Sequence, residues 1–385
     1  MLIRPDSFGF LGQLQEHLPP GFDLEQTARL RGAFTRARGI KDAATLLQLA
    51  MGYGGCGMSL RETCAWAAAV GLAELKDPSL LDRLCNAAPW LGDIVAALAA
   101  RQEAILPGKR WAGYRLRALD ATTICQPGAD RTSWRLHVGY DLATGQVDQI
   151  ELTDGRGAEN LQRLAYRPGE IVLGDRIYAR ARNLRLVKEA GADFIVRMGW
   201  NALRLKHVDD RQLDLFATLK AQKGEISEVK VRVCERRKGS EPFELRLVIL
   251  RKNRSLWRVE KNRLIKNAKK RGKKLNPRTL EAARYVMLLT SLPADTFPPS
   301  DVLSIYRFRW QIELSFKRMK SIAGLDELAA KKPELARAWI YARLIAFLVA
   351  ERNAGNVPES SPSETRVKWQ QRAKPVPLAA PANGF

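Results

Sequence analysis

Near residue 112 the apolar residues stop recurring at helical intervals and begin to alternate, which limits the chain to an α/β fold with helices gathered towards its ends. Residues 1 to about 110 read as helical. Ser59-Leu-Arg-Glu62 is a capping box that starts a helix after the glycine cluster Gly52–Gly57, which reads as an interhelical turn. Further helices are expected over Pro78–Asn86 and Leu91–Arg101. Beyond the change, Leu116–Ile124 is an apolar strand, and Trp134, Leu136, Val138 and Tyr140 alternate with Arg135, His137 and Gly139. A turn at Ala143-Thr-Gly145-Gln and a strand through Ile150 and Leu152 complete an antiparallel meander. A short helix over Leu161–Tyr166, a strand over Glu170–Gly174, a helix over Ala179–Ala190 stopping at Gly191, and a strand over Asp193–Met198 follow.

Two carboxylates punctuate this pattern. Asp120 follows the run Leu116-Arg-Ala-Leu119 near the end of its strand, and Asp175 follows Glu170–Gly174 in the same way. A lone aspartate in such a place is usually a cap or turn residue, but two emerging at strand edges can hold a divalent cation between them. A third acid, Glu313, lies in the helix-like segment Tyr306–Lys320. At about 100° per residue, Tyr306, Arg309, Glu313, Lys317 and Lys320 fall within roughly 80° of one another, while Ile312, Phe316 and Met319 turn elsewhere. Burying so much charge is costly, so a face of one carboxylate among cations and an aromatic meets water or a polyanion.

The spacing from Tyr306 to Arg309, Glu313 and Lys320, with Arg309-Trp310-Gln-Ile-Glu313-Leu between, resembles the Y-R-E-K signature of bacterial DDE transposases of the insertion-sequence-four type. The resemblance implies a ribonuclease-H-like catalytic core, and three antiparallel strands followed by helix, strand, helix and strand is the order such a core requires. It implies that Asp120, Asp175 and Glu313 are a catalytic triad holding two Mg2+ ions, for which Mn2+ can substitute, and that the enzyme excises an element through a hairpin intermediate and joins it to target DNA. Arg309 and Lys320, with the Tyr306 hydroxyl, match the residues that hold a phosphate of the non-transferred strand, and Lys317 and Trp310 match further DNA-contacting positions. Lys317 is otherwise an i,i+4 partner of Glu313, and Trp310 a core aromatic. Tyr285 stands where relatives carry a tryptophan that receives a flipped base; an interior strand tyrosine is the alternative. The partners implied are double-stranded DNA, namely terminal inverted repeats and target, and a second copy of the chain in a homodimeric synaptic complex. Two other readings share parts of this pattern: a transposase-derived DNA-binding protein without catalysis, and a ribonuclease-H-like nuclease.

Charge agrees with a polyanionic partner. The 385 residues carry a net charge of +23, and Arg251–Arg278 holds 13 Lys or Arg against the single acid Glu260. No G-x-x-x-x-G-K-S/T loop supports nucleotide hydrolysis. Five cysteines without a CxxC pair and three histidines argue against zinc and for reduced thiols. No secretory signal or membrane span is expected, since the apolar run Leu335–Val349 is interrupted by Arg337 and Arg343, which points to the bacterial cytoplasm in association with the nucleoid. Ile226–Arg236 and Phe243–Leu250 alternate around a Lys238-Gly239-Ser turn and read as a hairpin, with a last strand over Tyr285–Leu289. The expected organisation is a helical DNA-end-binding domain over 1–110, the first part of the core over 111–199, and a mostly β insertion domain with the basic tract over 200–292. Core completion with the Glu313 helix and C-terminal helices occupies 293–354, and a Pro/Ser-rich disordered tail 355–385.

Overall fold

Alternation buries one face of a strand, and the meander between 115 and 154 buries much of its other face too, with polar groups that satisfy one another. A computed structural model describes residues 8–37, 39–100, 113–129, 132–235 and 241–355; the expected tail lies outside them. In it β1 (Arg115–Ile124), β2 (Trp134–Asp141) and β3 (Gln146–Asp154) pair antiparallel in order. Ala118, Ile124, Leu136, Val138 and Tyr140 join an apolar core shared with helices. On the opposite face Arg117, with 0% of its side chain exposed, grips Asp148 at 2.6 and 2.8 Å. Asp148 sits where the register shifts beside Gly139, and a Cβ on Gly139 would collide with Asp148 Oδ1 and Arg117 Nη2. Glycine is required there by the ion pair above it.

The chain divides into two compact units, one holding residues up to Glu159 together with the stretch from Arg309, the other holding Asn160–Phe308. In the first, α1 (Phe8–His17), α2 (Leu24–Leu30), α3 (Ala43–Ala50), α4 (Leu60–Ala69) and α5 (Asp77–Leu98) form a helical layer that shares its core with the meander. Ser59 and Glu62 make the expected capping box at α4. The two helices expected on either side of residue 88 are one, because the burial of Trp90, Leu91, Ile94 and Leu98 continues the apolar stripe straight across Pro89. The glycine cluster also departs from expectation: Met51–Gly55 extends α3 as a π-helical turn, and only the following residues turn, with Gly57 at φ +75°.

The second unit is a six-stranded arrangement in the order β4-β5-β9-β8-β7-β6. β4 (Glu170–Gly174) runs parallel to β5 (Asp193–Arg197) across α6 (Ala181–Glu189), which Gly191 ends at φ +75°. The expected short helix at 161 is a 3-10 turn over Leu161–Arg163. After the two-residue β6 (Leu205–Lys206) and α7 (Leu215–Lys220), β7 (Ile226–Val233) and β8 (Phe243–Arg251) form the expected hairpin. The chain then leaves through α8 (Arg254–Lys270) and α9 (Pro277–Ala282) and returns as β9 (Tyr285–Thr290), which pairs with both β8 and β5. The strands of the 200–292 segment are thereby continuous with β5. Arg246, 6% exposed, ties this layer together by binding Glu228 and the carbonyls of Leu292 and Phe297. α10 (Pro299–Tyr306) closes the unit.

Back in the first unit come α11 (Trp310–Ser321) and α12 (Pro333–Gly355). Trp339, Ile340, Leu344 and Leu348 of α12 are buried in the same core as the apolar stripe of α5, and Arg352 donates to the Leu98 and Ala100 carbonyls at the α5 C-terminus. Gly54 lets α12 approach the π-helical turn: a Cβ there would lie 2.7 Å from Ala342 Cβ and 2.9 Å from the Trp339 oxygen. No helix among the described residues is long and apolar enough to cross a membrane.

Candidate active site

β1 continues for four residues past Asp120, so the aspartate stands in the body of its strand and not near the end. It pairs with Val138 and takes the same face as Ala118 and Ile124, the face turned to the helical core. Asp120 Oδ1 accepts from the Ala121 N–H at 2.9 Å, and Oδ2 accepts from Arg309 Nη1 at 3.2 Å. The other terminal nitrogen of Arg309 donates to Glu313 Oε1 at 2.5 Å. One planar cation thus bridges two carboxylates from distant parts of the sequence. The side chains of Arg309, Asp120 and Glu313 are 16%, 21% and 40% exposed, so the bridge does more to set positions than to stabilise the fold.

α11 explains the placement of Glu313. Ile312, Ser315, Phe316 and Met319 turn inward, and Glu313 is left at the rim in the first helical turn, where the helix dipole favours an anion. Tyr306–Lys320 is not a single helix, however. A 3-10 turn over Arg307–Arg309 separates α10 from α11, and its advance of about 120° per residue removes Tyr306 from the face that Arg309, Glu313, Lys317 and Lys320 keep. Lys317 is exposed, Lys320 half-buried, and Trp310 is 36% exposed, which excludes the core-aromatic role for it.

Asp175 belongs to the second unit. β4 is buried throughout and ends at Gly174; Asp175 then opens a 3-10 turn, its carbonyl accepting from the Tyr178 N–H at 3.0 Å. The charges of Asp175, Tyr306, Glu260 and Arg197 all bear on Arg176, the next residue. Glu260 is the anionic centre of a wider cluster and takes two hydrogen bonds from Arg263 at 2.8 and 3.0 Å. Burial raises its pKa, but Arg263, Lys252 and Arg197 overcome this and hold it below the usual carboxylate range. Burial pushes the Lys252 ammonium down to about 8, with Arg197, Arg176 and Arg263 repelling it and Glu260 opposing them. Sequence reasoning saw the basic tract but missed this cluster, whose only local signal is an acid in an otherwise cationic run.

The tract itself is mostly α8, a helix capped by the Asn253 side chain and without a buried residue. Its Trp257 lies between Lys261 and Arg284, the cations 5.1 and 4.6 Å from the ring centroid. Nearby, a cavity of about 510 Å³ is lined by Arg176, Trp200, Asn201, Asn276 and Thr279, with Trp200 Nε1 donating to Thr279 Oγ1 at 3.2 Å. Tyr285, by contrast, is 5% exposed within β9, so its ring is packed and not presented.

Among the described residues no three or more His, Cys, Asp or Glu are drawn together closely enough to hold a metal ion. The donor chemistry nonetheless fits a hard divalent cation. Asp120 and Glu313 already share one positive charge, and the three candidate ligands offer carboxylate oxygens without thiolate or imidazole.

Residues 111–349 match the family described as the transposase DDE domain. The transposase for insertion sequence element IS421 of Escherichia coli is 43% identical over 340 residues, covering 86% of this chain and 91% of that protein. InsL of insertion sequence element IS186A, from Escherichia coli (strain K12), shows the same identity over 339 residues and the same shares. A cryo-EM structure of the piggyBac transposase synaptic complex with hairpin DNA covers 99% of this chain and 88% of that one at 11% identity, with a TM-score of 0.37, too low to assign a fold. Matched over more than half its length by that domain and over most of its length by these relatives, the chain belongs to the DDE transposases of the insertion-sequence-four type, enzymes that cleave DNA and transfer its strands using divalent metal ions.

Proposed function

We propose that Asp120, Asp175 and Glu313 are the catalytic carboxylates, carried on a ribonuclease-H-like core, and that the ions they bind are two Mg2+, with Mn2+ able to substitute. The observation that carries this reading is the convergence of Asp120 and Glu313 on one guanidinium, although 189 residues separate Asp120 from Arg309. Bound ions supply activation of the attacking water or 3′-hydroxyl and stabilisation of the leaving oxygen. The chain's own residues do the positioning. Arg309 and Lys320, with Tyr306, hold a phosphate of the non-transferred strand, Arg309 through its fork and Lys320 as a point charge. Lys317 and Trp310, both exposed on α11, extend the contact along the duplex. The cations of α8 hold further backbone phosphates without reading bases.

Excision proceeds through a hairpin on the element end, and a base displaced in that step needs an aromatic platform. Trp200, on the wall of an open cavity beside Arg176, suits this better than Tyr285, which would first have to leave the interior of β9. The helices of the first 110 residues bind the terminal inverted repeats, two copies pair the ends as a homodimer, and the work is done on nucleoid DNA in the bacterial cytoplasm. The test is cleavage of a duplex carrying the element end by Asp120→Asn, Asp175→Asn and Glu313→Gln variants. Each should lose metal-dependent nicking while retaining DNA binding in a gel-shift assay. A variant that still cuts at close to the wild-type rate removes that residue from the ligand set.

A further inference from the structure

Arg309 is in an odd place for a cation. It occupies the N-cap of α11, where the helix dipole disfavours positive charge and where Ser, Thr, Asp or Asn usually bonds to the free N–H groups; no such side-chain bond is made. What holds it there is the pair of carboxylates, one on each terminal nitrogen. Two acids turned to the same point repel each other unless a cation lies between them, and Arg309 is that cation. Its charge cannot be removed by titration near neutral pH. It leaves only by exchange for another anion.

From this we infer that Arg309 is a placeholder for metal. Without DNA its guanidinium occupies Asp120 and Glu313 and keeps divalent cations from binding there; a DNA backbone phosphate draws it away and opens the two carboxylates to metal. The inference rests on the reading of Asp120 and Glu313 as metal ligands. It adds that the phosphate grip of Arg309 and its carboxylate bridge are mutually exclusive, since both bridging bonds use the terminal nitrogens that would form a fork on phosphate. Metal and DNA then bind cooperatively, and by linkage each tightens the other by the same factor. The device keeps a metal-loaded nuclease centre from forming away from its substrate.

The experiment is Mn2+ binding to the full chain without DNA, followed by paramagnetic resonance of the free ion, and repeated with a duplex carrying the element's terminal repeat. Arg309→Gln should bind Mn2+ about tenfold or more tightly than wild type in the absence of DNA, because charge-assisted bonds no longer compete for the carboxylates. The gain should vanish in Asp120→Asn/Arg309→Gln, which locates it at this site. Arg309→Lys, whose single ammonium cannot bridge both acids as a fork does, should fall between, and it guards against a folding defect special to glutamine. DNA should tighten Mn2+ binding to wild type by a similar factor and to Arg309→Gln hardly at all. Unchanged or weaker Mn2+ binding by both folded Arg309 variants overturns the placeholder role. If instead Mn2+ binding with DNA present is indifferent to both Asp120→Asn and Glu313→Gln, the carboxylate reading itself fails, and the two failures are told apart.

Discussion

Replacing Asp148 by alanine tests whether the buried ion pair behind the catalytic strand is as desolvated as its geometry requires. Arg117 and Asp148 have 0% and 3% of their side chains exposed and meet through two short hydrogen bonds, at 2.6 and 2.8 Å. Taking away one partner of such a pair leaves the other charge in a poor dielectric, which costs about 3–5 kcal/mol. Gln149 Oε1, 3.4 Å from Arg117 Nη2, is a weak replacement and should recover little of it. Replacing both residues by apolar ones, as Arg117→Met/Asp148→Leu, removes the desolvation cost together with the attraction and should lie within about 1 kcal/mol of wild type or above it. Urea unfolding followed by circular dichroism measures both, provided each variant unfolds in one transition with an unchanged slope. A cost below about 1 kcal/mol for Asp148→Ala, or a double variant as unstable as the single one, would show that water reaches the pair and that the reasoning is wrong.

Gly54→Ala should lose about 1–3 kcal/mol in the same assay, because its methyl must displace Ala342 and the Trp339 backbone. Lys252, at about 8 against 10.5 for a free lysine, imposes a stability cost that is fully present below pH 8 and is relieved as pH rises towards about 10.5; Lys252→Met should flatten that rise in urea midpoints taken across the interval. Changing Lys266, Lys269, Lys270 and Lys273 to glutamine should weaken binding to every duplex alike and lower the slope of log affinity against log salt by up to about 0.9 for each phosphate no longer neutralised; an altered sequence preference at constant slope would count against a backbone-only role. Trp200→Ala should slow hairpin formation more than first-strand nicking on a labelled end duplex, whereas Tyr285→Ala should chiefly lower stability, by about 3–5 kcal/mol.

Much of this architecture could be read before any coordinates because it is written in local periodicity. The meander, the hairpin of β7 and β8, the stop of α6 at Gly191 and the capping box at Ser59 each follow from a few neighbouring residues. The misreadings all occur where a distant partner overrides a local rule. Pro89 signals a break, but the core that receives Trp90 and Leu91 keeps the helix continuous. The glycines near residue 54 look like a turn, yet Gly54 serves the approach of α12, almost 300 residues later in the chain. Of the site, the i,i+4 relation of Arg309 to Glu313 was visible as spacing, whereas the second hold of Arg309, on Asp120, depends on tertiary packing that no local pattern encodes. Tyr285 was chosen by position in a pattern, and position says nothing of burial. Trp200 and the Glu260 cluster went unseen because cavities and charge nests are assembled from scattered residues.

The central claim, that Asp120, Asp175 and Glu313 hold the catalytic metal, is tested most directly by anomalous scattering at the manganese edge from crystals of the chain bound to its cleaved element end and Mn2+. The account predicts two peaks bounded by the carboxylates of Asp120, Asp175 and Glu313, with Arg309 turned from the acids to a backbone phosphate. Manganese bound elsewhere, or density at the active site with any of the three carboxylates facing away from it, would contradict it.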